Sequence, residues 1–309
     1  MRMIGCDNAM EIRQLQYFIE VAEREHVSEA ALALHVAQSA VSRQIANLES
    51  ELGVELFERE GRNIKLSPVG RLFLTHAKTA MKAIDHAKKQ IDEYLDPERG
   101  TIKIGFPTSL AGHLLPTVVS AFKREHPNIA FHLRQGSYRF LTESVKSGDI
   151  DLAFLGPVPT NDPDLEGHIL FTEKISALLP DQHPLSEKRS LLLSDLRNDE
   201  FVLFPDGYIL REVVVNACKE SGFVPKIACE GEDLDAIKGL VTAGMGVTLL
   251  PDSSFYETKP RFTVKIPIDI PDVKRTVGVI TPRSRELAPA EHVFYEFVIK
   301  FFSVLEQYQ

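Results

Sequence analysis

The sequence predicts an α/β chain in three parts: a small all-α N-terminal module, one long linking helix and a C-terminal domain of two α/β lobes. Apolar residues recur three and four apart in short stretches before Gly53, an unbroken seven-residue repeat runs from Phe73 to Tyr94, and strand-like and helical patterns alternate after Gly100. The 309 residues exceed what one core usually organises, and a composition 44% hydrophobic and 26% charged is that of a folded globular chain. The parts are drawn at residues 10–68, 69–97 and 98–309, with one lobe near 98–170 and 276–309 and the other near 171–275.

Helix one is written in MEIRQLQYFIEVAEREH, where Ile12, Leu15, Phe18, Ile19 and Ala22 form one apolar stripe. Ser28 is read as the N-cap of a short second helix, Glu29 to Leu34, whose Ala30 and Ala31 permit close packing. After a break at His35 and Val36, a third helix is expected from near Ser39 to Gly53. Its inward face is Val41, Ile45, Leu48 and Leu52, which leaves Ser39, Arg43, Ala46 and Asn47 outward with Ser42 and Gln44 on the flanks.

Two short helices joined by a few residues, the second polar and exposed near its start, have the form of a helix-turn-helix that enters a major groove. Arg43 has the fork to bind guanine and Gln38 the amide to read adenine, while Ser39, Ser42 and Ser28 complete a set suited to close approach or phosphates. The spacing alone fits a plain three-helix bundle equally well. LFEREGRNIKLSPVG adds a strand, a turn at Glu60 and Gly61 and a second strand, which together make a wing carrying Arg59, Arg62 and Lys65.

The linking helix opens at Pro68 and carries a seam of Phe73, Ala77, Ala80, Ile84, Ala87, Ile91 and Tyr94. About 27 residues rising 1.5 Å each make a rod of roughly 40 Å, too long for a module of this size to cover. Pairing with the same helix of a second subunit is expected, which would set two reading helices on one pseudo-palindromic site. Packing on the chain's own C-terminal domain is the other way to bury that seam. Asp96, Pro97 and Gly100 end the rod.

Beyond the linker, Ile102 to Phe106, Ile129 to Leu133 and IDLAFLG read as strands, separated by helices at Leu114 to Glu125 and Tyr138 to Ser147. A second alternation includes FVLF, helices at Ile209 to Glu220 and Leu234 to Ala243, and a strand ending at Leu250. The chain returns through TVGVI and a final helix bearing Phe294, Phe297, Val298, Phe301, Phe302 and Leu305. In such sheets ligands sit beyond the carboxyl ends of strands. Pro107, Thr108 and Ser109, then Gln135 to Ser137, Gly156 to Pro159 and Pro205 to Tyr208, including Gly207, are therefore expected to line one cleft.

Composition narrows the function further. Residues 1–97 carry 12 Lys and Arg against 15 Asp and Glu, and the remainder 23 against 29, so no general positive field draws the chain to nucleic acid. Placed cations and base contacts must act instead. No apolar run approaches the roughly 20 residues of a membrane helix, and MRMIGCDNAM lacks a signal-peptide core, so a cytoplasmic protein without membrane contact is expected. Cys6, Cys218 and Cys229 form no CxxC pair and are expected to be free thiols. The ten His show no metal spacing and no GxSxG, Walker-type or GxGxxG segment occurs, so neither a catalytic set, a metal nor a cofactor is expected.

The segment MEIRQLQYFIEVAEREHVSEAALALHVAQSAVSRQIANLESELGVELFERE resembles the signature region of LysR-type transcriptional regulators, and the likeness continues through LSPVG, DLAFLG, HPLS and GLVTAGMGVTLLP. Only residues 1–9 lie outside it; Met10 stands where such proteins usually begin. The resemblance implies a winged helix-turn-helix, a dimerising linker helix and a C-terminal effector domain similar to type 2 periplasmic binding proteins, assembled as a dimer or a tetramer of two dimers. It places DNA contacts at Gln38, Ser39, Ser42, Arg43 and Arg59 and effector contacts at Thr108, Ser109 and Ser137. Where many members have Pro, this chain has Ser39.

TIKIGFPTSL, LRQGSYRFL, LGPVPTN, FVLFP, CEGEDLDAIKGLV and RFTVKIPI are similar to the branch that activates glutamate-synthase operons in Gram-positive bacteria. That likeness implies promoter DNA and RNA polymerase as partners, 2-oxoglutarate as activating effector and glutamate as an opposing signal. A dicarboxylate needs cations or amide nests, and Arg134, Lys174 and Arg211 are the candidate suppliers. The rival readings are a regulator with another small anionic effector, a cytosolic two-lobed binding protein or enzyme with a helical appendage, and an architectural DNA-binding protein without base preference.

Overall fold

The computed structural model describes residues 10–60, 63–96, 100–112, 114–256 and 260–306, with the backbone alone at 59, 60, 63, 305 and 306. It divides into two compact units, residues 1–91 and 92–309.

The first unit opens with α1 (Ile12–Arg24), α2 (Val27–Ala33) and α3 (Gln38–Leu52). Phe18, Val21, Val41 and Leu48 are fully buried between them, as the three-and-four spacing requires. Gly53 ends α3 with φ 69°, the left-handed conformation glycine adopts without a Cβ penalty. The wing follows as β1 (Phe57–Glu60) and β2 (Asn63–Leu66), antiparallel with Phe57 opposite Leu66 and Glu60 opposite Asn63. Glu49 of α3 accepts hydrogen bonds from the amides of Leu56 (2.7 Å) and Phe57 (3.2 Å), which fixes the wing against the reading helix.

The long helix α4 (Pro68–Leu95) starts directly from the wing. Ser67 caps it, its hydroxyl accepting from the Gly70 amide and donating to the Glu55 carbonyl. At Gly70 an added Cβ would stand 2.0 Å from the Leu56 carbonyl oxygen, so only glycine admits this close approach. Phe73 packs on Phe18 with ring centroids 5.1 Å apart. The last turn of α4 falls in the second compact unit: Glu93 is buried and its carboxylate accepts from the Ala290 amide at 3.1 Å.

The second unit has two lobes on one mixed sheet. The first lobe contains β3 (Thr101–Phe106), α5 (Thr108–Ala111), α6 (Leu114–Glu125), β4 (Ala130–Gln135), α7 (Tyr138–Lys146) and β5 (Leu152–Leu155). From there β6 (Leu165–Pro180) runs through into the second lobe, built of β7 (Leu191–Leu192), β8 (Glu200–Leu203), α8 (Ile209–Glu220), β9 (Lys226–Glu230), α9 (Leu234–Thr242), β10 (Thr248–Pro251) and β11 (Thr263–Ile270). The return strand β12 (Lys274–Pro282) and α10 (Pro289–Glu306) complete the first lobe.

The main sheet has the order β4-β3-β5-β12-β6-β11-β7, with β10 also on β6, while β8 and β9 pair separately. β3 is parallel to β4 and β5, and β12 is antiparallel to β5 and β6. One core gathers Phe122, Phe154, Phe294 and Val298 in the first lobe; another gathers Ile175, Phe201, Val214 and Ile266 in the second. Among the described strands, β6 and β12 pass between them, with Glu173 opposite Arg275 in their register. At Gly278, where that register shifts, a Cβ would meet the His168 carbonyl oxygen at 2.0 Å.

Candidate DNA-reading and effector sites

Gln38 and Ser39 form the first turn of α3, whose amides have no helical partner and face whatever the helix end meets. Gln38, Ser39, Ser42 and Arg43 are all exposed on one side, while Val41, Ile45 and Leu48 on the other are buried. A guanidinium, an amide and two hydroxyls thus stand in solvent on a helix held from behind. Such a face suits base edges and phosphates.

Ser28 is placed differently from its sequence reading. It lies inside α2, half-buried, and His26 is the N-cap, its Nδ1 accepting from the Glu29 amide at 3.3 Å. His26 offers an acceptor two residues earlier, which starts the helix before Ser28. Arg59 sits in β1 opposite Ile64; Arg62 lies outside the described residues.

The heptad seam on α4 is divided by the packing. Ala77 is buried in the first unit's own core, with Phe73 against the same cluster, so these two are not available to a second helix. Ile84 is partly covered, whereas Ala80, Ala87, Ile91 and Tyr94 are exposed. Val69 and Leu72 precede them on that side and are also exposed. The free stripe is therefore rotated from the expected one at its start, because the wing and α1 take the Phe73 and Ala77 side first.

In the second unit a cavity of about 810 Å³ is lined by Thr108 and Ser109 from the start of α5, Phe171 to Lys174 of β6, the start of α9, Asp252 to Ser254, Tyr256, Phe301 and Phe302. This size suits a small ligand. The expected set converges here only in part. Pro107 is the N-cap of α5, and the Thr108 hydroxyl accepts from Gln135 Nε2 at 2.7 Å. Ser137 is instead the N-cap of α7, accepting from the Phe140 amide, and Arg134 is exposed with its guanidinium 5.4 Å from the Phe140 ring centre.

Gly207 has φ 84° in the turn before α8, and Tyr208 stacks on Phe204 at 5.3 Å. Neither forms part of the cavity wall. Of the candidate cations, Lys174 lines the cavity, while Arg211 is committed to the Phe204 carbonyl (2.8 Å) and Glu230 (2.6 Å).

Behind Ser109 and Glu173 lies a buried charge pair that sequence reasoning missed. Arg275 Nε donates to Glu173 Oε1 at 2.7 Å, and Nη1 donates to Ser109 Oγ at 2.9 Å. Glu173 Oε2 accepts from the Ser253 amide at 3.2 Å. Burial presses the Arg275 guanidinium below its ordinary pKa, opposed by the charge of Glu173 and its hydrogen bond. The signal available in the sequence was weak: Glu173 stands between Thr172 and Lys174, and Arg275 between Lys274 and Thr276, with nothing local to set either apart.

Cys218 and Cys229 are free, and burial pushes the Cys218 thiol up to about 12, which leaves it an unreactive hydrophobe. Cys6 lies outside the described residues. No group of His, Cys, Asp and Glu suited to a metal ion occurs among the described residues, and none of their helices is long and apolar enough to cross a membrane.

A winged helix-turn-helix with a polar reading face, a long helix with an unpartnered stripe and a two-lobed domain with a ligand-sized cavity define a one-component regulator. Residues 12–71 match the bacterial regulatory helix-turn-helix of the lysR family, and residues 95–303 match the LysR substrate-binding domain. The chain belongs to the LysR family: it is a LysR-type DNA-binding transcriptional regulator, not an enzyme. It is 71% identical to the transcriptional dual regulator GltC of Bacillus subtilis (strain 168), across 97% of this chain and 100% of that protein. Among solved structures, full-length CbnR complexed with its target DNA is similar at 27% identity and TM-score 0.71, covering 94% of this chain and 99% of that one. The effector-binding domain of QuiR in complex with shikimate is similar at 25% identity and TM-score 0.62, covering 67% of this chain and 98% of that one.

Proposed function

We propose that this chain is a cytoplasmic activator of a nitrogen or glutamate-metabolism operon, glutamate synthase foremost, and that 2-oxoglutarate is its activating effector. The observation that carries this reading is the 71% identity with GltC over that protein's whole length. The segments with glutamate-synthase-activator likeness support it, including TIKIGFPTSL, which supplies the Thr108 and Ser109 wall of the cavity. The shikimate carried by the effector domain of QuiR is itself a small carboxylate, which fits the same ligand class.

In this reading Gln38, Ser39, Ser42 and Arg43 read base edges and phosphates, with Ser28, Arg59 and Arg62 near the backbone. The stripe Ala80, Ala87, Ile91 and Tyr94 pairs two subunits, and two such dimers form the tetramer that meets RNA polymerase. On a net acidic module, two reading helices supply the affinity that general charge does not. Effector acts only through a difference in affinity between two arrangements of the lobes; moving a 1:99 balance to 99:1 takes about 5.5 kcal/mol.

The test is a footprint of the purified chain on a glutamate-synthase promoter and on DNA upstream of its own gene, with and without 2-oxoglutarate. Two protected half-sites whose pattern changes with effector are expected. Protection that is equal on random DNA would leave an architectural protein, and an unchanged footprint with no binding heat would remove 2-oxoglutarate.

A further inference from the structure

The crossing strands carry an unusual charge arrangement. Arg275 on β12 and Glu173 on β6 are directly opposite one another at the junction of the lobes, with side chains 1% and 6% exposed. Each reaches into a different lobe. Arg275 holds Ser109 at the start of α5 in the first lobe, with the Gly156 carbonyl at 3.5 Å, while Glu173 holds the Ser253 amide beyond β10 in the second. Ser109, Glu173 and Ser253 all stand in the wall of the cavity, so the guanidinium lies just behind that wall.

The pair is also incompletely matched. A guanidinium and a carboxylate meet best as two parallel N–H to oxygen bonds, one to each oxygen. Here Nε and Nη2 both crowd the one oxygen Oε1, at 2.7 and 2.6 Å, and Oε2 is turned away to Ser253. Nη2 is buried from solvent and, although 2.6 Å from Glu173 Oε1, is not aligned for a hydrogen bond with it or with any other described residue. A poorly aligned donor on a buried cation is costly, and a better-placed acceptor would improve it.

Besides Glu173 the wall carries Asp233, Asp235 and Asp252, and two of these are held by other groups. Asp252 is held by Lys265 at 2.9 Å and by the Ser176 hydroxyl at 2.6 Å, and Asp233 caps α9 by accepting from the Ala236 amide. Lys174 and Lys238 add two cations to the wall.

We propose that Arg275 is the carboxylate receptor of this domain, and that a small carboxylate entering beside Ser109 takes its poorly aligned Nη2 edge in competition with Glu173. The inference rests on the reading of the second unit as a receptor for small carboxylates and names the residues that make it one. Glu173 then serves as an internal surrogate: it neutralises Arg275 in the empty state and yields to the ligand. Its retained bond to Ser253 keeps it with the second lobe while Arg275 and Ser109 stay with the first, so the exchange loosens the tie between lobes. Ligand chemistry and lobe movement are joined in one contact.

The experiment is calorimetric titration of the full-length wild type, Glu173→Gln and Arg275→Lys with 2-oxoglutarate, glutarate and succinate, each variant checked for folding by its melting curve. Glu173→Gln removes the competitor while keeping its shape, and its affinity for at least one probe is expected to rise about tenfold or more; Arg275→Lys, which keeps the charge but loses the fork, is expected to fall by a similar factor. A gain in Glu173→Gln cannot come from misfolding, so that arm stands even if the lysine variant fails to fold. Unchanged or weaker binding by Glu173→Gln overturns the inference, as does silence of every protein toward every probe. If 2-oxoglutarate binds all three proteins alike, it remains the effector and Arg275 is not its receptor. If glutarate or succinate shows the expected pattern and 2-oxoglutarate does not bind, Arg275 remains the receptor and the effector assignment falls.

Discussion

The two units treat charge in opposite ways. In the reading head, Arg43 stands in solvent beside Gln38, Ser39 and Ser42, while the core behind it is wholly apolar at Phe18, Val41 and Leu48. In the effector unit, charges are drawn inside: Arg275 with Glu173 at the crossing strands, and Arg285 with Glu291 (2.6 Å) and Asp151 (3.4 Å) where α10 begins. An exposed cation can be spent on a partner without altering the fold. A buried pair holds structure and becomes a switch when something else takes one member. Reading DNA and sensing a ligand place these different demands on similar residues.

Arg275→Ala is the strongest way to break this contrast. It leaves Glu173 buried without its cation, so the effector unit should lose about 3–5 kcal/mol of stability, read as a lowered unfolding midpoint in denaturant. A loss under 1 kcal/mol would mean that the pair is a spectator. Gly70→Ala probes the head by sterics instead: its Cβ has no room beside the Leu56 carbonyl, and a cost of about 1–3 kcal/mol is expected in the first unit.

Arg43→Ala should cost a comparable 1–3 kcal/mol, roughly, but in specific DNA binding and with the melting curve unmoved. A matching loss on unrelated DNA would make Arg43 a phosphate contact rather than a base reader. Glu93→Ala removes the carboxylate that accepts from the Ala290 amide at the start of α10, for which a loss of about 0.5–2 kcal/mol in the second unit is expected.

The smallest effect concerns an exposed pair. Lys146 lies 2.8 Å from Asp162 and holds its carboxyl below the ordinary 3.8. The folded state therefore gives up this proton more readily than the unfolded state. Its contribution is complete above about pH 4 and fades as pH falls through the lowered folded value. Asp162→Asn should flatten the acid side of the stability curve slightly, by well under about 1 kcal/mol given the solvent screening. A large change there would show that surface charge in this unit matters more than its exposure allows.

Local pattern carried much of the fold. The helix boundaries at Leu114, Glu125, Ile209 and Glu220 were legible because caps, breakers and three-and-four spacing act within a few residues. β6 was not legible. Its first half is mostly exposed or half-buried and its run Ile175–Leu179 is buried throughout, since the strand leaves one lobe's edge for the centre of the other. Ala77 was misjudged for a related reason: a small residue in a heptad suits either partner, and only the position of Phe18 and the wing decides which.

By itself, then, the sequence determined the order of parts, the inward and outward faces of α3 and the family, because these depend on spacing along the chain. The tertiary structure alone decided which α4 stripe is free, that Thr108 and Ser109 face a cavity without Ser137 or Tyr208, and that Arg275 meets Glu173. The last two lie 102 positions apart and are joined only by strand register. A buried charge pair across two returning strands has no local signature, because its stability comes from desolvation and geometry that exist only after the lobes have formed.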